Sequence, residues 1–206
     1  MVGTPRELIR AAALGAAVLA APLAPAAESQ PVTATGSCRD GLPHGAYELR
    51  DAGGRLRVSG AFNRGKRTSS FIFWSSAGVR LAHLPYDEGV LSGTVSLWYA
   101  DSPRRGEPQQ KLEAAYVAGS LDGSKRSWHA NGAKRAVFVY ARGALVEAQA
   151  WSAAGAQQGE PGARALAERD ATADRRYYES LEAMVDQHPP RCDAPAAPTP
   201  GTQATR

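Results

Sequence analysis

Few side chains in this sequence could ligate a metal ion or act as a catalytic nucleophile, and they are widely separated. The four histidines lack the close pairing of an HxH or HExxH motif and predict no metal site; they are His44, His83, His129 and His188. No serine lies in a Gly-x-Ser-x-Gly elbow, the turn that presents the nucleophile of many hydrolases. The sequence therefore predicts a protein that is not an enzyme and needs no cofactor.

Asp170 and Asp174 form the one carboxylate pair whose spacing suggests chemistry. They are four residues apart in a segment of helical composition, so they would share one face of a helix. An acid pair of this kind could exchange protons with a substrate. Arg169, Arg175 and Arg176 flank the two carboxylates and favour the alternative, a solvated and charged helix face.

Cys38 and Cys192 are the two cysteines of the chain, near opposite ends of its ordered region. In an oxidising compartment such a pair predicts a disulfide bond. Closing so long a loop would stabilise the fold by about 5 kcal/mol in the chain-entropy model. The alternative is two unrelated free thiols.

The oxidising compartment is suggested by residues 1–27, which have the three-part form of a secretory signal. Arg6 and Arg10 precede an apolar stretch over 11–21, and small residues follow at 24–27. That stretch is shorter than the roughly 20 residues needed to span a bilayer, and no second long apolar run follows it. We therefore expect a periplasmic or secreted protein without an integral membrane segment after signal cleavage. The alternative is an N-terminal amphipathic helix.

The elements between the two cysteines repeat at a fixed interval. Successive glycines are 24, 24, 30 and 24 residues apart, the longer step containing a turn-rich insertion over 102–108; they are Gly41, Gly65, Gly89, Gly119 and Gly143. Nine residues after three of these glycines stand Trp74, Trp98 and Trp128. Each repeat unit is predicted to form two strands joined by a tight turn. Along the second strand of each unit, apolar and polar residues alternate. The repeats thus predict an antiparallel sheet with one apolar and one mixed face.

This pattern resembles the bacterial variant of the MORN repeat over residues 38 to 157. The residues that carry the resemblance are Asp40-Gly41-Leu42-Pro43-His44-Gly45-Ala46-Tyr47 and Trp128-His129-Ala130-Asn131-Gly132. The resemblance implies an elongated, twisted sheet of tandem β-hairpins, in a family whose members are labelled antitoxins or membrane-binding proteins. Ser69 and Glu147 stand where the fuller pattern has glycine.

A C-terminal helix is predicted over 163–188, where Ala173, Tyr177, Leu181 and Met184 form an apolar stripe with Val185 beside it. We expect this helix to cover the apolar face of the sheet, because a single-layer sheet needs a cover. The alternative is a free helix that binds a partner. Residues 28–37 are expected to form a flexible leader, and 193–206, rich in Pro, Ala and Thr, a disordered tail.

The tryptophans at 74, 98 and 128 are the candidate binding residues, together with Ile72. Equivalent positions in neighbouring hairpins lie about 9.5 Å apart, so these side chains would form an aromatic stripe able to grip an extended peptide or glycan. The alternative places them in the core, beneath the helix or the insertion.

These features predict a non-catalytic exported module that holds a protein partner in the cell envelope. Alternatives are peripheral lipid or glycan binding and an immunity role against a toxin. The net charge of +4 is dispersed, which argues against nucleic acid and supports only weak contact with an acidic membrane surface.

Overall fold

The computed structural model describes residues 31–101 and 108–192, which fold as one open antiparallel sheet and one C-terminal helix. The mainly β fold class predicted from the sequence is confirmed. The strands are β1 (Val32–Arg39), β2 (Leu42–Asp51), β3 (Leu56–Asn63), β4 (Lys66–Trp74), β5 (Arg80–Asp87), β6 (Val90–Leu91), β7 (Gly93–Trp98), β8 (Gln110–Val117), β9 (Ser120–Trp128), β10 (Lys134–Ala141) and β11 (Ala144–Ala150), and the helix is α1 (Glu160–Asp186).

Neighbouring strands in the sheet follow one another in the chain. The order is β1-β2-β3-β4-β5-β7-β8-β9-β10-β11, and the two-residue β6 pairs only with β5. The repeated glycines lie at the second position of two-residue turns in which both residues have positive φ, as at Arg64 (49°) and Gly65 (82°). This is the type I′ geometry, whose twist matches that of the flanking strands. The glycine period therefore corresponds to one hairpin.

A β-bulge recurs in each hairpin beside the other turn. On β10, Lys134 pairs with Trp128 and Ala136 with Ser127, which leaves Arg135 as an extra residue. If the second strands alternated strictly, Arg135 would lie on the mixed face, as would Arg57, Leu81 and Lys111 at the equivalent positions. That expectation is wrong for Arg135, because the bulge breaks the alternation and its guanidinium binds Asp170 on the helix.

Helix α1 runs across the strands and covers one face of the sheet, hereafter the helix face. Its C-terminal half packs through Tyr178, Leu181 and Val185 on a core contributed by β2 to β8. Its N-terminal half packs through Ala163 and Ala167 on β10 and the end of β11. The predicted stripe was partly wrong, since Ala173 is exposed and the buried tyrosine is Tyr178 instead of Tyr177.

Two predicted boundaries differ from the structure. The flexible leader expected over 28–37 instead contributes strand β1 from Val32 onward, because its residues pair with β2 from Val32↔Asp51 to Gly36↔Tyr47. The helix begins at Glu160, three residues before the predicted start, with a proline in its first turn where no amide hydrogen bond is lost. The predicted signal segment 1–27 and tail 193–206 lie outside the described residues.

Cys38 and Cys192 form a disulfide bond, as predicted, with a Cα–Cα distance of 5.5 Å. The bond joins β1 to the residues that follow the helix. Beside it, the Tyr47 hydroxyl donates a hydrogen bond of 2.8 Å to the carbonyl oxygen of His188. The end of α1 is therefore attached to the first hairpin both covalently and by a hydrogen bond. Within the described ranges, no helix combines the length and apolar character needed to cross a membrane.

Candidate functional site

The face of the sheet turned away from α1, hereafter the open face, carries the predicted tryptophans. Each of them directly follows a residue buried on the helix face: Trp74 follows Phe73, and Trp98 follows Leu97. Successive side chains of a strand point to opposite faces, so the indoles point away from the helix. The structure brings Trp74, Trp98 and Trp128 onto one face, all half-buried. Trp151, after β11, continues the series and was not predicted.

Of the three gaps between neighbouring indoles on the open face, two hold a cation and the middle one holds Gln110. Arg80 lies on the strand between Trp74 and Trp98, with its Cζ 4.1 Å from the centroid of the Trp98 ring. Lys134 lies between Trp128 and Trp151, with its Nζ 3.9 Å from the Trp151 centroid. These distances are typical of cation–π contacts. We call this set the tryptophan–cation row: Trp74, Arg80, Trp98, Gln110, Trp128, Lys134 and Trp151.

Ile72 and His83 pair with each other on the open face, one position from the tryptophan–cation row. His83 Nε2 lies 2.8 Å from Ser70 Oγ. Burial lowers the pKa of His83 because it disfavours the charged imidazole, and the positive charge of Arg80 acts in the same direction. A neutral imidazole therefore lies beside the row at neutral pH.

On the helix face, polar side chains of α1 recur every four residues and meet five different strands, in the order β10, β9, β8, β5 and β4. Asp170 binds Arg135 of β10 through two contacts, Nη1–Oδ2 at 2.6 Å and Nη2–Oδ1 at 2.8 Å. Four residues on, Asp174 Oδ2 lies 2.5 Å from Nζ of Lys125 on β9. The prediction of a solvated face for these aspartates is wrong, because their side chains are only 14% and 16% exposed.

The same spacing continues along the helix. Tyr178 packs edge to face on Tyr116 of β8, with ring centroids 6.3 Å apart. Glu182 accepts a 2.7 Å hydrogen bond from the hydroxyl of Tyr86 on β5. Asp186 accepts a hydrogen bond from Arg67 of β4. A helix rises about 6 Å in four residues, somewhat more than the spacing of neighbouring strands, so each step reaches a new strand.

The Lys125–Asp174 pair is the most buried pair of charges in this interface. The Lys125 side chain is only 2% exposed. Burial raises the pKa of Asp174, and the attraction of Lys125 offsets this only in part. Alternation along β9 puts Lys125 and Ser127 on the helix face, where both are buried. Its partner explains how a lysine is accommodated there.

A cavity of about 430 Å³ opens beside this ion pair, between α1 and strands β8 to β10. Three tyrosines line it, together with charged residues of the helix and Lys125; we call it the phenol cavity, and its polar lining residues include Tyr116, Tyr140, Tyr178, Asp174, Arg175, Glu179 and Glu182. This cavity is not predicted from the sequence. Its one signal in the sequence was the four-residue spacing of Asp170, Asp174, Tyr178, Glu182 and Asp186.

No family model matches the chain, and a comparison with curated proteins finds no match. In residues 31–101 and 108–192, no group of three His, Cys, Asp or Glu side chains lies close enough together to hold a metal ion.

Proposed function

We propose that this protein is a non-catalytic, exported interaction module of the cell envelope, and that it holds an extended protein segment on its open face. The observation that carries the proposal is the tryptophan–cation row, which lies on the face that α1 leaves uncovered. Indole and guanidinium groups contribute most of the energy in many protein interfaces. Here the indoles recur about every 9.5 Å, which suits an extended partner better than a compact one.

Charge indicates the kind of segment. Arg80 and Lys134 are exposed and contact indole rings, and no ion pair of the described residues involves either of them. On the same face, by contrast, Arg50 is neutralised by Glu48 at 2.8 Å. The row therefore offers two positive charges that a partner's carboxylates would complement. The proposed segment is acidic.

The proposal includes export from the cytoplasm and a relationship to the bacterial MORN-repeat variant. A disulfide joining the two ends of the fold is compatible with a periplasmic or secreted location. The open sheet of tandem hairpins observed here matches the architecture that the resemblance implies. Both are supporting observations, and neither names the partner.

The test compares three forms of the mature protein as immobilised bait against envelope extract. One is the unaltered chain, one carries Arg80→Glu and Lys134→Glu, and the third carries Arg169→Glu and Arg176→Glu at exposed sites of α1 outside the row. We expect the unaltered chain and the third form to retain the same protein, and the row variant to lose it. Equal retention by all three forms would refute the role of the row.

Acrylamide quenching provides a second measurement on the same samples. The half-buried indoles should be quenched in the free protein and protected when the captured partner is added. Sedimentation with anionic liposomes tests the lipid alternative. If the unaltered chain captures no protein but sediments with liposomes, and Arg80→Glu with Lys134→Glu abolishes this, the protein is a peripheral lipid-binding module. An interaction confined to a toxin encoded beside this protein would indicate the immunity role.

A further inference from the structure

We propose that the phenol cavity binds a small organic cation, a protonated amine carried on a compact apolar body. The cavity lies on the helix face, so the proposal is independent of the function proposed for the open face. Its volume of about 430 Å³ falls in the range of small-molecule sites.

The walls of the cavity are aromatic and apolar. Tyr116 and Tyr140 contribute from β8 and β10, Tyr178 contributes from the helix, and Leu91 and Leu121 add aliphatic surface. Tyr116 and Tyr178 meet at 79°, so the edge of one ring faces the other. Phenol rings attract cations through their negative faces, and several rings around one ammonium group give a recurrent recognition mode.

The fixed charges around the cavity favour a cation over an anion. Three carboxylates line it, those of Asp174, Glu179 and Glu182, against the two cations Lys125 and Arg175. Lys125 is already paired with Asp174 at 2.5 Å, yet burial still raises the pKa of that carboxyl. By this count the lining carries one more negative than positive charge, which a bound ammonium group would balance.

Two buried phenols also offer hydrogen-bond acceptors to a ligand. Tyr178 is 5% exposed, and its hydroxyl interacts with that of Tyr116 as a side-chain hydrogen-bond partner. A hydroxyl oxygen has two acceptor lone pairs, so this pairing leaves acceptor capacity free. Burial raises the pKa of Tyr116 to about 12 and that of Tyr178 further, so both phenols stay neutral and can accept a hydrogen bond from an ammonium N–H.

The test uses three probes of similar size that differ in charge: 2-phenylethylammonium, uncharged 2-phenylethanol and anionic 3-phenylpropanoate. Binding to the full mature protein, with its disulfide intact, is measured by calorimetry and by ligand-observed NMR. We expect the cation to bind at least tenfold more tightly than either other probe. Equal binding of the cation and the alcohol, or no binding of the cation at 10 mM (roughly the weakest affinity of interest), would overturn the proposal.

Variants locate the binding. Tyr178→Phe keeps the ring and removes the hydroxyl, and Glu182→Gln removes one charge at the same volume; each should weaken cation binding about tenfold. Glu179→Gln, at an exposed site on the cavity mouth, tests the charge without risk to the fold and should weaken binding severalfold. The matched control Glu160→Gln on the same helix should leave it unchanged. Unaltered binding in Tyr178→Phe, Glu182→Gln and Glu179→Gln would refute the assignment.

Discussion

Arg135 and Asp170 join the sheet to the helix through two parallel contacts, with Nη1–Oδ2 at 2.6 Å and Nη2–Oδ1 at 2.8 Å. Arg135 reaches the helix because it is the extra residue of a β-bulge. Both side chains are partly buried, so solvent screens their attraction less than it would on the surface. The pair is therefore expected to contribute to the docking of α1.

Removing one partner of this pair should destabilise the fold. Asp170→Asn keeps the shape but leaves the guanidinium without its counter-charge, and we expect the free energy of unfolding to fall by about 2 kcal/mol. Urea denaturation followed by circular dichroism measures the change. The control is Glu160→Gln, which breaks the exposed pair with Arg164 on the same helix and should cost less than about 0.5 kcal/mol. Equal effects would contradict a specific role for Arg135.

The disulfide should contribute more than any single ion pair. The bond closes a loop with a sequence separation of 154 residues, so replacing both cysteines by serine should lower the free energy of unfolding by about 2–5 kcal/mol. Dithiothreitol should lower the stability of the unaltered protein to the same level and leave the double variant unchanged. A reductant effect on the double variant would show that the loss has another cause.

Gly60 and Phe71 restrict each other across β3 and β4. A Cβ added at Gly60 would lie 2.6 Å from the Phe71 ring, which is fully buried. Gly60→Ala should therefore cost about 1–3 kcal/mol, and adding Phe71→Leu should recover part of its steric component. Gly162→Ala is the control, because its Cβ would meet nothing closer than 3.6 Å and its helical position favours alanine. We expect that control to be neutral or stabilising in thermal unfolding.

His83 should make stability depend on pH near neutrality. Its pKa in the folded protein lies below the ordinary value of 6.5, first because of burial and then because of Arg80. Between the folded pKa and 6.5 the unfolded state therefore binds more protons than the folded state. The stability present above pH 6.5 is lost as the pH falls through the folded pKa. Urea midpoints should decrease from about pH 7.5 to about pH 5.5, and His83→Gln should reduce this slope. An unchanged slope in the variant would assign the effect to another group.

The sequence predicted the fold well because its turns leave a periodic record. A type I′ turn requires two residues with positive φ, so glycine recurs at one position of every hairpin, as at Gly65 and Gly89. The start of the sheet was missed because residues 32–37 carry no such glycine-and-aromatic frame. Their strand is specified instead by its pairing with β2.

The helix face was predicted less well, for two physical reasons. A bulge inserts one residue without any change of composition, so Arg135 looked like a residue of the opposite face. Asp170 and Asp174 carry a pattern common to solvated helices, and their burial follows from Arg135 and Lys125, which lie 35 and 49 positions earlier in the chain. Such long-range pairing is not encoded in local spacing.

The length of α1 limits how many hairpins this architecture holds. Its 27 residues extend about 40 Å, close to the roughly 43 Å width of ten adjacent strands. Duplicating one hairpin would widen the sheet by about 9.5 Å and leave a strip of apolar surface bare unless the helix grew by about six residues. The Cys38–Cys192 bond fixes the far end of that span. Each hairpin gained or lost must therefore be matched by lengthening or shortening α1 by nearly two helical turns.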